Sequence, residues 1–301
     1  MNADRQPPYA TPTAFRRALT DRLRTIAAPA GPWPLPDLQR QFAYDRLLVR
    51  LYLLDDAWIL KGATALLARR IAVRHTVDID LYRDTTRVAA ERDLRAALHV
   101  DAGDWFRFEA GASRPVADGV NGVRIPIAAR LGTTLWSRFH IDLVAEGVRM
   151  TGAPDHVPAL TALSLPGLDQ PGYRAYPVVD HIADKVWAIL ERSASGQRPS
   201  TRFKDLVDLV AFAANVLVDA QAQRHALACE AQRRQIALPS RFDVPDRSLW
   251  ETGYAAEARR AVLPTAATLD DALAAVRPFL DPLLDGSAAG SWDPEHGVWR
   301  T

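Results

Sequence analysis

Cysteine, lysine and long apolar runs are all scarce in this sequence of 301 residues. The single cysteine, Cys229, excludes an intramolecular disulfide and any zinc site built from several cysteines. No apolar run approaches the roughly 20 residues that span a bilayer. Residues 1–8 lack the apolar segment of a signal peptide. We therefore expect a cytoplasmic protein that does not enter a membrane.

Net charge is almost absent as well, because 37 Lys and Arg residues oppose 36 Asp and Glu residues, giving +1. No field of the whole protein attracts nucleic acid, so such binding requires a local basic patch. Only three of the basic residues are lysines, namely Lys61, Lys185 and Lys204. A lysine offers a compact point charge instead of a planar fork, so these positions are informative where arginine is the default cation.

Periodicity predicts helices and short strands in the first half of the chain. A strand at residues 57–60 leads through a glycine turn into a short helix that ends at Arg70. Asp37 is expected to cap the second helix, and Val88 is expected to be buried in the third. The predicted helices are 12–28, 37–51 and 85–99, and the later strands are 105–109, 123–129 and 139–144, with turns at Asp118-Gly119 and Asn121-Gly122.

The second half changes to a helical period. The predicted helices are 180–193, 202–217, 219–236, 247–261 and 267–284, with a polar loop at 193–201. The tail from Gly286 is rich in small residues, and we expect it to be loosely packed. Prolines between residues 152 and 177 indicate an extended connection. We predict an α/β (α+β) domain at 1–165 and a helical domain at 166–301.

Two aspartates in the octapeptide 75–82 are the first candidates for chemistry. If this segment is a strand, Thr76, Asp78 and Asp80 share one face, and Val77, Ile79 and Leu81 share the other. The two carboxylates then lie about 6 to 7 Å apart at their α carbons. This spacing suits a divalent metal, but a solvated acidic strand edge explains it equally well.

A third carboxylate and a glycine turn favour the metal interpretation. Asp142 stands alone between apolar neighbours in a strand-like run, where it either completes a metal cluster or bonds a backbone group. Backbone N–H groups at a turn such as Gly62, at the start of a helix, can hold a phosphate. A phosphate site beside a carboxylate cluster is the arrangement that two-metal phosphoryl transfer requires.

The order of these motifs resembles the polymerase-β-like nucleotidyltransferase superfamily. More narrowly, the chain looks like the AbiEii/AbiGii family of nucleotidyltransferase toxins, which includes the MenT toxins of mycobacteria. Four segments in the expected order support this resemblance: 60–64, 74–81, 183–188 and 201–209. It implies a polymerase-β-like core with a mixed sheet, followed by a helical C-terminal domain that closes the nucleotide cleft.

The resemblance also implies a function. It predicts a toxin of a type IV-like toxin–antitoxin system that transfers NMP from an NTP to the 3′ end of tRNA and so blocks aminoacylation. Mg²⁺ or Mn²⁺ is the implied cofactor, a cognate antitoxin is the implied partner, and we favour a monomer. The alternatives are transfer to a protein or a small molecule such as an antibiotic, and an inactive nucleotide- or partner-binding relative. Three converged carboxylates have no physical reason to persist without metal, which argues against inactivity.

Site residues follow from the resemblance by position. Asp78, Asp80 and Asp142 would bind metal, Lys185 would reach the triphosphate, and Asp205 would position Lys185, the metal shell or the acceptor hydroxyl. The remaining nucleotide-binding candidates are Lys61, Gly62, Thr64, Thr76, Arg202, Lys204 and Asp208. The family usually has Gly-Gly or Gly-Ser at the turn, and here Thr64 would supply the hydroxyl. Thr76 either contacts phosphate, is modified or only caps the strand.

Plainer interpretations of the helical motifs stay open. Lys185 taken alone is typical of a solvated helix residue. Arg202, Lys204, Asp205 and Asp208 have the spacing of ordinary surface ion pairs. The histidines show no metal-ligand spacing, and we expect His75 to point away from the metal face. Trp187 lies at helical spacing from apolar residues, which predicts a core position.

Overall fold

The computed structural model describes residues 9–29, 31–116, 122–163, 165–168, 170–191, 198–261, 263 and 265–301. The turn predicted at 118–121 and most of the loop predicted at 193–201 lie outside these residues. The helices are α1 Pro12–Ile26, α2 Leu35–Leu54, α3 Gly62–Ala68, α4 Arg87–Ala97, α5 Val178–Leu190, α6 Phe203–Asn215, α7 Ala220–Arg234, α8 Arg247–Ala258 and α9 Leu269–Leu284. The strands are β1 Ile59–Lys61, β2 Asp78–Arg83, β3 Phe106–Ala110, β4 Arg114–Pro115, β5 Gly122–Leu131, β6 Thr134–Ala145, β7 Asp155–Val157, β8 Tyr173–Ala175, β9 Val218–Asp219, β10 Ser291–Asp293 and β11 Val298–Arg300. The predicted mixed α/β class is confirmed.

Contacts divide the chain into two compact units. Unit 1 comprises residues 1–70, 75–148 and 156–175, and unit 2 comprises residues 71–74, 149–155 and 176–301. The predicted domains, 1–165 and 166–301, stay a prediction. In the described residues, no helix is both long and apolar enough to cross a membrane.

Unit 1 is built on a mixed sheet in the order β3-β5-β6-β2-β1-β8-β7, with β4 paired to β5. The two strands that contain the candidate aspartates, β2 and β6, are parallel neighbours. β1 pairs with β2 in the antiparallel sense, and β5 pairs with β6 in the same sense. The alternation of strand side chains therefore carries over from β2 to β6 and β5, and their polar residues share one face.

Helix α2 contributes apolar side chains to the core of unit 1. Five of them are buried: Leu38, Phe42, Leu47, Leu48 and Leu51. Two predictions about helices were wrong. Asp37 is not the cap of α2, because the helix begins at Leu35 after Pro34 and Asp37 lies in its first turn. Val88 is 75% exposed, because the buried stripe of α4 runs through Ala90, Leu94 and Ala97.

Buried ion pairs in unit 1 were not predicted. Arg46 and Arg50 both donate to the buried carboxylate of Asp104, at 2.5 and 2.6 Å. Burial alone would raise the pKa of Asp104, but the two guanidinium groups outweigh it and hold that pKa below its usual value. Nearby, Asp45 accepts hydrogen bonds from the backbone of Leu160 and Thr161, both at 2.8 Å. These contacts fasten α2 to distant segments.

The C-terminal tail is ordered, and the prediction of loose packing was wrong. β10 and β11 form a small antiparallel sheet with β9 in unit 2. Trp292 is buried, and its indole N–H donates to the carbonyl of Ala213 at 2.7 Å. The ring of Trp299 stacks on Phe279 with 5.6 Å between centroids. Two tryptophans give this short tail enough apolar area to pack, which outweighs its small, flexible residues.

Candidate active site

Gly62 connects β1 to α3 in a conformation that favours glycine. Its φ is +54°, and a Cβ atom at this position would lie 2.0 Å from Oδ2 of Asp80. Lys61, the residue before it, is the register neighbour of Asp80 across the β1–β2 pair. Two features therefore favour glycine at this position: the left-handed backbone, and the close approach of a candidate metal ligand.

The candidate aspartates lie together on one face of the sheet, as the alternation predicts. Asp78 and Asp80 are partly exposed, and Ile79 and Leu81 between and after them are buried. Asp80 is the register partner of Asp142 on β6. One part of the prediction was wrong: β2 begins at Asp78, so Val77 precedes the strand and is 54% exposed.

Arg124 is part of this face, and no motif in the sequence pointed to it. It is the cross-strand partner of Asp142 in the β5–β6 pair. Its Nε and Nη2 donate to the two carboxylate oxygens of Asp142 at 2.7 and 2.6 Å. Nη2 also lies 3.6 Å from Oδ2 of Asp78, and Nδ1 of His140 lies 3.5 Å from Oδ1 of the same aspartate. Arg124 and His140 thus flank the carboxylates.

The donor set of this face fits a hard divalent cation only in part. Carboxylate oxygens are the ligands that Mg²⁺ prefers, and Asp78 and Asp80 present them on a partly exposed surface. Both oxygens of Asp142 are engaged by Arg124. Within the described residues, no group of three or more His, Cys, Asp or Glu side chains is arranged to hold a metal ion. Asp78 and Asp80 stay the candidate ligands for such an ion.

The two threonines near Asp78 have backbone partners. The hydroxyl of Thr76 accepts from the N–H of Asp78 at 3.3 Å and donates to its carbonyl at 3.2 Å, which is a cap on the start of β2. Thr64 is fully buried and donates to the same carbonyl at 3.1 Å. The Thr64 side chain therefore links α3 to β2. It leaves no exposed surface for the phosphate contact that was predicted.

Lys185 lies in a buried ionic cluster of unit 2. Its Nζ donates to Asp205 at 2.9 Å and to Asp208 at 2.7 Å, and all three side chains are almost fully buried. Arg74 forms a bidentate pair with Asp208 at 2.9 and 2.7 Å, and Arg202 donates to Asp205 at 2.6 Å. Lys185 is therefore not a solvated helix residue. Arg74 was not predicted as a member of the site.

The cluster shifts the titration of its members in a consistent way. Burial by itself lowers the pKa of Lys185, but the carboxylates of Asp205 and Asp208 outweigh it and raise that pKa above its usual value. Burial likewise raises the pKa of Asp205, but Lys185 and Arg202 outweigh it and hold that pKa below its usual range. Each charge is stabilised by its neighbours, so the cluster is a set of ions.

The remaining candidates in this motif differ in exposure. Lys204 and Arg202 are exposed, and Arg202 also donates to Asp205. Asp208 is buried and holds Lys185 and Arg74. This contact pattern fits a role for Asp208 in positioning those cations, in contrast to the predicted direct contact with a nucleotide. Trp187 is buried and donates to the carbonyl of Leu227 at 3.0 Å, so its predicted core position is confirmed.

The sheet of unit 1 presents paired carboxylates beside a glycine turn, and a helix of unit 2 contains a buried lysine. A family model described as nucleotidyl transferase AbiEii toxin, type IV TA system, matches residues 46–278. The chain belongs to this AbiEii family of nucleotidyltransferase toxins, as the sequence motifs predicted.

Solved structures also match the chain. The chain is similar to MenT4, a nucleotidyltransferase toxin from Mycobacterium tuberculosis, with a TM-score of 0.50 and 17% identity over 87% of this chain and 99% of that one. It also matches JHP933 from Helicobacter pylori with a TM-score of 0.45 and 16% identity over 83% of this chain and 92% of that one. No curated protein sequence matches the chain significantly.

Proposed function

We propose that this nucleotidyltransferase toxin transfers a nucleoside monophosphate from an NTP to the 3′ end of tRNA and depends on a divalent metal ion, Mg²⁺ or Mn²⁺. The modified tRNA cannot be aminoacylated, so translation and growth stop. An acceptor of this kind places the reaction in the cytoplasm. The type IV toxin–antitoxin description of the family supports a cognate antitoxin as the partner that limits this activity.

The observation that supports this function most is the pair of carboxylates on β2. Asp78 and Asp80 point from the same face of the strand, Ile79 between them is buried, and Gly62 leaves room for the carboxylate of Asp80. A solvated acidic edge would not require a glycine against one of its side chains. The close approach of Gly62 therefore favours a metal site over a solvated acidic strand edge.

The reaction is a displacement at phosphorus. The 3′ oxygen of the acceptor attacks the α-phosphorus of the NTP, a new P–O bond forms, and the bond to the β-phosphate oxygen breaks, so that pyrophosphate leaves and the hydroxyl proton passes to a base. A divalent ion held by Asp78 and Asp80 would neutralise charge on the triphosphate. Catalysis of this kind depends mainly on positioning and charge, since the protein forms no covalent bond.

The other predicted residues have proposed roles that match their environments. Lys61 neighbours Asp80 across the strand pair and is a candidate contact for a phosphate. The exposed Arg202 and Lys204 are candidate contacts for nucleotide or RNA phosphates. Thr76 holds the start of β2, and through it the position of Asp78. Asp205 accepts a hydrogen bond from Lys185, and in this proposal it positions that lysine.

The direct experiment incubates the purified protein with Mg²⁺, total tRNA and each of the four α-labelled NTPs in turn. We expect one or more of the nucleotides to label tRNA, and periodate oxidation of the tRNA 3′ end beforehand to prevent labelling. No labelling of RNA with any nucleotide would contradict the proposal and favour transfer to a protein or a small molecule.

The matched variants are Asp80→Ala and Asp84→Ala. Asp84 is an exposed aspartate just beyond β2, so its loss tests the effect of removing a nearby negative charge. We expect Asp80→Ala to abolish labelling with an unchanged circular dichroism spectrum, because it removes a metal ligand without opening a core cavity. Asp84→Ala should label normally. Wild-type activity in Asp80→Ala would overturn the metal assignment.

A further inference from the structure

The guanidinium of Arg124 lies at the carboxylates of this sheet face, where a metal cation would be expected. Its planar fork engages both oxygens of Asp142, at 2.7 and 2.6 Å, and the same Nη2 atom lies 3.6 Å from Asp78. Two parallel N–H bonds to one carboxylate are the strongest geometry available to an arginine. One guanidinium therefore faces two of the three candidate metal ligands.

This arrangement compensates charge that would otherwise be unfavourable. Asp78, Asp80 and Asp142 present three like charges on neighbouring positions of one sheet face. The guanidinium of Arg124 donates two hydrogen bonds to Asp142 and lies 3.6 Å from Asp78. The guanidinium supplies positive charge at the carboxylates when no metal is bound. A divalent ion would supply that charge when it is bound.

The pair is not a structural anchor of the fold. The side chain of Arg124 is 46% exposed, and cross-strand ion pairs at such exposure contribute little to stability. A second arginine on the same strand, Arg130, allows a comparison. Arg130 extends from the same face of β5 and donates to Glu109 at 2.8 Å and to the carbonyl of Thr133 at 3.3 Å. Arg124 alone of these two arginines is aligned on a metal-ligand candidate.

We propose that Arg124 is a built-in counter-cation that holds Asp142 until a divalent ion displaces it. The site then has two states: one in which the fork of Arg124 binds Asp142, and one in which the carboxylate is released to the ion. This inference rests on the proposed metal site. It adds that the intrinsic affinity for metal is set by competition with a side chain, since an ion gains Asp142 only by breaking two charged hydrogen bonds.

The test measures Mn²⁺ binding by calorimetry on the full-length protein, without nucleotide and without RNA. Arg124→Gln removes the positive charge and keeps a similar length, and we expect Mn²⁺ to bind this variant roughly tenfold more tightly than the parent. Arg130→Gln is the control, because it removes an arginine from the same strand face without touching the carboxylates. Its affinity should stay within about twofold of the parent.

A double-mutant cycle separates direct competition from a general effect of charge. In an Asp142→Asn background the fork has lost its carboxylate, so the Arg124→Gln substitution should change Mn²⁺ affinity by less than about threefold. Arg124→Lys keeps the charge without the fork, and its affinity should fall between those of the parent and Arg124→Gln. Circular dichroism and a melting curve verify that each variant is folded.

Two results would overturn the inference. Equal affinity of Arg124→Gln and the parent would show that the fork does not compete with metal, and weaker binding would show that Arg124 orients Asp142 for the ion. Neither result depends on the acceptor. Failure to label tRNA would contradict the proposed function and leave these metal affinities as they are, so the two ideas fail separately.

Discussion

Among the single residues of unit 2, Lys185 combines a charged group with almost complete burial. Its ammonium group is almost fully removed from water, and it is tolerated because Asp205 and Asp208 each accept a hydrogen bond from it. Arg202 and Arg74 hold the outer oxygens of the same two carboxylates. A buried ion of this kind is costly to leave unpaired, so the members of the cluster depend on one another.

We predict that Lys185→Met lowers the free energy of unfolding by about 3 kcal/mol. This is the lower end of the cost of breaking a buried ion pair, because Arg202 and Arg74 still compensate the charges of the two aspartates. Lys204→Met is the control, since Lys204 is an exposed lysine on α6 and its loss should change the free energy of unfolding by no more than about 0.5 kcal/mol. Urea denaturation measures both. Equal effects of the two substitutions would contradict a buried ionic role for Lys185.

A second residue-scale feature is His75, which lies against Arg40 and Asp37. Nη1 of Arg40 lies 3.3 Å from Nδ1 of the imidazole, and the ring faces Trp33 at 5.8 Å between centroids. Burial lowers the pKa of His75 to about 4, the attraction of Asp37 opposes this, and the repulsion of Arg40 adds to it. The ring is therefore neutral in the folded protein at pH 7.

We predict that His75 makes the protein less stable as pH falls from about 6.5 to about 4. The unfolded chain binds a proton on His75 in this range and the folded protein does not, so stability is lost by up to about 3 kcal/mol relative to a variant without the histidine. His75→Gln should remove this part of the pH dependence in urea denaturation. His99→Gln, at an exposed histidine, should keep the profile of the parent. Identical profiles for the parent and His75→Gln would contradict the assignment.

At the scale of elements, the β1–α3–β2 unit decides the geometry of the carboxylates. The chain leaves β1 at Lys61, turns at Gly62 into α3, and returns through a segment capped by Thr76 into β2. Thr64 fastens the helix to the carbonyl of Asp78. Three local contacts thus position a six-residue strand, which explains how a short element presents two carboxylates in a fixed direction.

We predict that Gly62→Ala reduces nucleotidyl transfer about a hundredfold, because a methyl group 2.0 Å from Oδ2 of Asp80 displaces that carboxylate. Gly147→Ala is a matched control, since Gly147 also has a positive φ, +71°, and nothing lies within 4 Å of its added Cβ atom. Both variants should lose about 1 to 2 kcal/mol of stability from backbone strain. Full activity in Gly62→Ala would contradict the role of Asp80.

The C-terminal strands are the second element whose packing matters, because they close the helical unit with aromatic side chains. We predict that Trp292→Ala destabilises unit 2 by about 3 to 5 kcal/mol, through the cavity it leaves and the loss of its bond to Ala213. Val298→Ala on β11 is the control, since Val298 is exposed and should cost little. Thermal unfolding measures the difference. A small effect of Trp292→Ala would show that the tail is dispensable.

At the scale of the whole molecule, charge is balanced overall and organised locally. The net charge is +1, yet the exposed cations Arg202 and Lys204 lie at the start of one helix, and Arg124 lies on the carboxylate face. In the proposed function, binding to RNA therefore depends on a few local contacts. Each contacted phosphate of a single strand lowers affinity with a slope of roughly −0.7 in a plot of log affinity against log salt.

We predict that tRNA affinity falls roughly twentyfold between about 50 and about 200 mM salt, as expected for three phosphate contacts. Asp80→Ala should show the same slope, because it removes a metal ligand and no phosphate contact. Filter binding at several salt concentrations measures both. Affinity that does not change with salt would contradict an RNA acceptor held through its phosphates.

The sequence by itself determined the fold class, most element positions and the alignment of Asp78 with Asp80, because hydrophobic period and strand alternation are local properties. It also identified the family through four ordered motifs. Val77 was misplaced because β2 begins one residue later, and Val88 because the buried stripe of α4 runs through other residues. The ordered tail was missed because its tryptophans pack on residues far away in the chain.

Only the tertiary structure decided which charges meet. Arg124 reaches Asp142 because two strands pair in one register, and Arg74 reaches Asp208 across 134 residues of sequence. Thr64 and Asp208 were predicted to face a ligand, but folding buries both. Ion pairs and burial depend on long-range register, which composition and spacing do not specify. The sequence therefore determined which residues could do the chemistry, and the three-dimensional packing decided how each one is held.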